Sequence, residues 1–233
     1  MGPLADAHRV IWYDRRGFAN SERRFARRLS DHVDDAIELL RLRHAAPATI
    51  VGMSGAGPIA LALAALRPDL VSGLILAEPA YRLALTPSLS AGRAIGTTAT
   101  RALLRRDPDA AVLGFYRWAS AYETGGNGYD GLPKEWRETA MGHASAVFRE
   151  LAQLTRPWPR SRAVRRLRCP VTLVITDNGQ PVFRRTTHGV HRLLPGARLV
   201  KIPGAGHLIP LDKPAEFGAA VREAIAVGGT GAL

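Results

Sequence analysis

Ser54 lies in Gly52-Met53-Ser54-Gly55-Ala56-Gly57, and His207 closes Pro203-Gly204-Ala205-Gly206-His207. The run before Ser54, Thr49–Met53, reads as a buried strand, and the run after it, Ile59–Leu66, as a small-residue helix. A hydroxyl on the tight turn between strand and helix stands clear of the sheet. Strand and helix can approach there only if the residues two before and two after it are small, as Gly52 and Ala56 are. This is the G-x-S-x-[GA] spacing of a nucleophile elbow. Gly55, next in the chain, presents its N–H at the helix N-terminus, where it could donate to a developing oxyanion.

A serine needs a base. His207 follows the last strand signal and precedes the last helix, so its loop can reach a nucleophile at the same edge of a sheet. The other histidines lack such a setting: His32 and His44 sit on a charged helix, and His8, His143, His188 and His191 have no glycine-rich approach. Ser54 and His207 together point to acyl transfer.

These residues are positioned by short apolar strands alternating with helices. Val10–Tyr13 is a short β-type run, followed by a helix from about Ser21 to His44. Ala48–Met53, Val71–Ala77, Val171–Ile175 and Arg198–Ile202 read as further strands, and a final helix spans about Pro214–Ala226. The glycine-rich tail Gly228–Gly231 is expected to fray. Residues 81–167 carry no strand run. They show helical stretches at about Ser90–Leu104, Pro108–Tyr122 and Pro133–Leu154, with the turn-rich Gly125-Gly126-Asn127-Gly128 between them. The expected organisation is an α/β core of residues 1–80 and 168–233, with a mostly parallel sheet, interrupted by a helical cap of residues 81–167.

The chain has 233 residues, of which 46% are hydrophobic and 22% charged, proportions that support a folded core rather than disorder. No apolar run is long enough to span a bilayer, and no secretory leader is visible, so a cytoplasmic protein without membrane association is expected. Cys169 is the only cysteine, which excludes an intrachain disulfide; beside Pro170 and an apolar run it reads as a small buried hydrophobe. The net charge of +12 comes almost wholly from arginines scattered along the chain, without an aromatic-interleaved groove or a nucleic-acid motif. An arginine-rich solvated surface is expected, not nucleic-acid binding. Histidines and carboxylates lack metal-ligand spacing, and the glycines at 52–57 lack the acid of a dinucleotide fingerprint, so neither metal nor cofactor is expected.

Tyr13-Asp-Arg-Arg-Gly-Phe-Ala-Asn-Ser21, the Ser54 elbow, Arg67–Ala77, Cys169–Val174 and Pro203–Pro214 together resemble the α/β-hydrolase superfamily, in its lipase, esterase, haloperoxidase and C–C hydrolase neighbourhood. The resemblance implies a serine hydrolase acting on a small ester or related acyl substrate through an acyl-enzyme. Trp118, Tyr122, Trp136 and Phe148 would then supply cap core or line an apolar pocket. Two departures stand out. The family's usual acid position, after the penultimate strand, holds Gln180, with Asp177 nearby; Glu78, at the end of the strand after the nucleophile helix, occupies an alternative acid position of the family. The orienting acid is therefore Glu78, Asp177 or absent. The family's third strand and its His-Gly oxyanion loop also have no counterpart, which leaves open a non-catalytic or truncated hydrolase-fold protein that binds a ligand or partner.

Overall fold

The computed structural model describes residues 2–22, 24–103, 107–153 and 158–229. Helix α1 (Gly2–Ala5) is followed by an irregular segment and then by α2 (Leu29–Leu42), β1 (Ala48–Met53), α3 (Ala56–Leu66) and β2 (Val71–Ala77). The middle of the chain forms α4 (Leu89–Leu103), α5 (Pro108–Ala119), α6 (Lys134–Gly142), α7 (Ala144–Gln153) and α8 (Ser161–Val164). The chain then completes β3 (Val171–Thr176), α9 (Pro181–Leu193), β4 (Arg198–Ile202), α10 (Ile209–Asp212) and α11 (Pro214–Gly229).

The four strands form one parallel sheet in the order β1-β2-β3-β4. Parallel strands covered on both faces read as continuous apolar runs, and β3 is buried throughout. Alternation sorts the side chains to two cores. Leu74, Leu76 and Leu173 face Leu29, Val33 and Leu40 of α2, the apolar α3, and Val190 of α9. Ile75, Ala77 and Val174 face Phe217, Val221 and Ala224 of α11, joined by Leu4 of α1. The edge strand β1 is less covered than its neighbour, and its Val51 is exposed.

Several boundaries differ from the sequence expectations. Val10–Tyr13 is not a strand: among the described residues no strand lies on the outer side of β1 to pair with it. The run makes no main-chain bond to another segment among the described residues, and Trp12 is 83% exposed. Helix α2 begins at Leu29 rather than Ser21. The Asp31 carboxylate accepts from the N–H groups of Arg27 (2.7 Å) and Arg28 (3.2 Å), which fixes the start there. The basic pair Arg27-Arg28 is also unfavourable at the positive end of a helix dipole.

The single helix expected over Pro133–Leu154 is broken at Gly142-His143. His143 Nε2 accepts from Ala19 N–H at 2.7 Å, so its protonated Nδ1 donates to the Thr139 carbonyl at 2.6 Å and closes α6. Helix α9 lies between β3 and β4, where no helix is expected from the sequence; Pro181 opens it. Of the tail expected to fray, Gly228 and Gly229 close α11, while Thr230 and Gly231 lie outside the described residues. So do Leu104 and Leu154, the expected ends of two helices. Residues 81–167 contain no strand among the described residues, only an isolated bridge between Ala121 and Asn127.

Candidate active site

Parallel strands deliver their carboxyl ends to one edge of the sheet, and four segments converge there. Ser54 follows β1, Glu78 follows β2, Thr176 ends β3, and His207 lies on the loop after β4.

Ser54 occupies the left-handed region with φ 49°, a conformation that costs a non-glycine residue about 1–3 kcal/mol. Main-chain bonds hold it: its N–H donates to the Ala77 carbonyl (3.0 Å), and its carbonyl accepts from Gly57 (3.0 Å) and Ala80 (2.9 Å). The turn needs small neighbours. A Cβ on Gly52 would come within 3.0 Å of the Ala60 Cβ, and one on Gly57 within 2.4 Å of the Pro79 Cβ. Gly55 is the N-cap of α3, and its N–H donates to no main-chain acceptor among the described residues.

Glu78 is likewise left-handed, with φ 42°, and its N–H is fixed to the Val174 carbonyl at 3.0 Å. The strand therefore turns at its end, and the carboxylate enters the protein with no solvent exposure. Glu78 Oε1 accepts from the Thr176 hydroxyl at 2.7 Å and from the Thr176 N–H at 3.2 Å. Its Oε2 lies 2.7 Å from His207 Nδ1, and His207 Nε2 lies 2.9 Å from Ser54 Oγ. An acceptor-only carboxylate at Nδ1 requires the proton there, which leaves Nε2 of the neutral ring as the acceptor for the serine hydroxyl.

Phe183, on α9, lies flat against the His207 ring, with centroids 3.6 Å apart and planes 10° from parallel. Asp212 ties the histidine loop down: it accepts from Gly206 N–H and from the Tyr122 hydroxyl, each at 2.7 Å. The imidazole is thus fixed by a carboxylate, an aromatic face and a braced loop.

Ser54, Glu78 and His207 are brought together; Asp177 is not. Its carboxylate accepts from Gly204 N–H at 2.7 Å and pairs with Lys201 at 2.9 Å. The bond from Lys201, followed by that from Gly204, holds its carboxyl below the usual range. Gln180 is the N-cap residue of α9, and its side-chain oxygen accepts from Ser90 at 3.1 Å.

Of the four aromatics singled out in the middle segment, Trp118 packs on Phe183 and Tyr122 reaches Asp212, but Trp136 is exposed at the surface. Cys169 is half-buried, and burial raises its thiol pKa, as befits a packing residue. Thr176, Phe183 and Asp212 were not singled out from the sequence. The only signals for them were a β-branched hydroxyl at a strand end, an apolar residue in the first turn of an amphipathic helix, and an acid five residues after His207.

No group of three or more His, Cys, Asp or Glu side chains stands close enough to hold a metal ion among the described residues. No helix among them is long and apolar enough to cross a membrane.

Known structures share this arrangement of strands and helices. The chain superposes on a thermophilic esterase from Thermogutta terrifontis with a TM-score of 0.73 and 23% identity, covering 97% of this chain and 83% of that one. A bromoperoxidase from Bacillus anthracis gives 0.73 at 18% identity, covering 92% and 80%. A protein described as an N-acyl homoserine lactone degrading enzyme gives 0.70 at 20% identity, covering 90% and 80%. At these identities the likeness is one of fold. The sequence profile of the alpha/beta hydrolase family matches residues 1–220, nearly the whole chain, and on that match the protein belongs to the alpha/beta hydrolase family.

Proposed function

We propose that the protein is a serine hydrolase that cleaves a small ester or related acyl substrate through an acyl-enzyme. The observation that carries this reading is the continuous relay from Glu78 Oε2 through His207 to Ser54 Oγ, with both contacts within hydrogen-bond distance. Esterases among the proteins of similar fold agree with it.

In this reading Ser54 Oγ attacks the substrate carbonyl as its proton passes to His207 Nε2. Gly55 N–H, at the start of α3, receives the oxyanion. As the tetrahedral centre collapses, the protonated Nε2 gives its proton to the leaving alkoxide, and the acyl group stays on Oγ. A water then attacks the acyl-enzyme while Nε2 takes its proton. Collapse of the second tetrahedral centre returns that proton to Ser54 and frees the acid. Glu78 keeps the ring in the Nδ1–H tautomer and stabilises the imidazolium, while Thr176 holds the carboxylate. The helices of residues 81–167 act as a cap over this edge of the sheet.

The non-catalytic alternative has one observation behind it: among the described residues β1 is a sheet edge, and none of their strands lies on its outer side to bring a second oxyanion donor. Losing one such donor costs about 10²- to 10³-fold in rate. Hydrolysis of p-nitrophenyl acetate and butyrate, abolished by Ser54→Ala, together with Ser54-dependent labelling by a fluorophosphonate, would establish the enzyme. Folded protein with neither activity would establish the binding protein.

A further inference from the structure

Phe183 and His207 stand closer than any other aromatic pair among the described residues. Their ring centroids are 3.6 Å apart, with planes 10° from parallel. The other aromatic pairs lie at 5.3–6.2 Å. Carbon atoms in contact are about 3.5–4.0 Å apart, so the two rings lie almost squarely over one another. Two neutral aromatic rings avoid that arrangement, because their electron-rich faces repel, and settle into offset or edge-to-face pairs. A cation over the face of a ring is attracted instead. The stack is therefore matched to the protonated imidazole rather than to the neutral one.

The fold enforces this geometry from both sides. Phe183 lies in the first turn of α9. Its N–H donates to the Gln180 carbonyl at 3.1 Å, and its own carbonyl accepts from the hydroxyls of Thr186 (2.8 Å) and Thr187 (2.9 Å). Its ring belongs to an apolar cluster with Ala80, Leu83, Ala91 and Ala119, and Trp118 is tilted against it at 5.7 Å. His207 is held by Glu78 at Nδ1 and by a loop that Asp212 ties down. Neither ring can slide to an offset position without disturbing these contacts. Phe183 is 1% exposed and His207 4%, so a charge that forms between them is little screened by water.

We infer that Phe183 lowers the barrier of the reaction at Ser54 by stabilising the imidazolium form of His207 through the face of its ring. The inference rests on the serine-hydrolase reading. In both half-reactions Nε2 gains a proton in the transition state, first from Ser54 Oγ and then from water. The imidazole is neutral before each transfer and charged during it. The attraction to Phe183 is thus stronger in the transition state than in the ground state, and only such a difference accelerates a chemical step. Glu78 meets the charge at the edge of the imidazole; Phe183 meets it at the face. Phe183 acts through His207 alone.

The test varies the charge distribution of the ring while leaving its shape almost unchanged. Phenylalanines carrying fluorine (4-fluoro, 3,5-difluoro and 3,4,5-trifluoro) are incorporated at position 183, and kcat and KM are measured for p-nitrophenyl butyrate. Fluorine withdraws electrons from the ring face. The expected result is a stepwise fall in kcat with fluorine content, reaching about tenfold for the trifluoro ring, with KM changed less than about twofold. Phe183→Leu, which removes the face altogether, should lower kcat by about tenfold to thirtyfold. The same fluorinated residues at position 217 are the control. Phe217 packs in the core on the α11 side of the sheet, and kcat should not respond there.

A kcat that falls with Phe183→Leu but does not follow fluorine content would reduce the ring to a packing role and overturn the inference, while leaving the hydrolase. An unchanged kcat across the whole set would do the same. Wild-type protein that neither hydrolyses the ester nor takes up a fluorophosphonate at Ser54 would overturn the hydrolase reading and the inference with it.

Discussion

Replacing Glu78 with glutamine tests the relay at its most buried point. The carboxylate has three bonded donors: two from Thr176 on Oε1 and the His207 Nδ1–H on Oε2. A glutamine has one oxygen and one NH2. Both Thr176 donors converge on a single atom, so the amide oxygen must turn to them and the NH2 must face His207. The imidazole then presents its Nδ1 lone pair and carries its proton on Nε2, 2.9 Å from Ser54 Oγ. In that tautomer it cannot accept the serine proton. The same exchange of tautomers in a serine–histidine–acid site lowers kcat by about 10⁴, or about 5.4 kcal/mol at 1.36 kcal/mol per decade. The assay is kcat for p-nitrophenyl butyrate with circular dichroism as the control for folding. Asp177→Asn is the companion variant: it should change kcat less than about threefold, because the Asp177 carboxylate is engaged by Gly204 and Lys201 and not by His207. Glu78→Gln retaining a tenth of wild-type kcat, with Asp177→Asn losing a thousandfold, would refute the assignment of the acid.

Thr176→Val keeps the N–H but removes the 2.7 Å bond to a buried carboxylate, and should destabilise by about 1.5–3 kcal/mol in urea unfolding while lowering kcat. Gly57→Ala pushes a Cβ to within 2.4 Å of Pro79 at the elbow, and should cost about 1–3 kcal/mol by the same measurement. Asp177 has a folded pKa below its unfolded value of about 3.9, so its contribution is complete above that pH and is lost as the pH falls through the folded value. The difference in stability between wild type and Asp177→Asn should therefore shrink between about pH 5 and pH 2 in an acid titration followed by fluorescence.

The elements that carry periodicity were legible in the sequence. The strands Ala48–Met53 and Val71–Ala77 and the elbow between β1 and α3 all stand close to where the apolar runs and small residues put them. Ser54, His207 and Glu78 were legible as candidates because each sits where a strand ends. The choice between Glu78 and Asp177 was not, since it depends on which way a side chain leaves its strand. That direction is set by the left-handed turn at Glu78 and by Lys201 holding Asp177 away. Val10–Tyr13 carries β propensity without forming a strand, because propensity is a property of the segment, whereas a strand requires a partner. Phe183 has no chemical signature in a sequence, because a ring that supports a histidine looks like any other core phenylalanine.

The outer margin of β1 has a consequence for handling the protein. Ala48-Thr-Ile-Val-Gly-Met53 contains no charge and no proline, and it ends next to Ser54. Soluble proteins ordinarily blunt such a margin with lysine, proline or a bulge, because free N–H and C=O groups template the addition of another chain. Self-association is therefore expected to begin at this hexapeptide and to rise with protein concentration, with loss of specific activity as it proceeds. A lysine introduced at Val51, which already faces solvent, is the substitution that should suppress it.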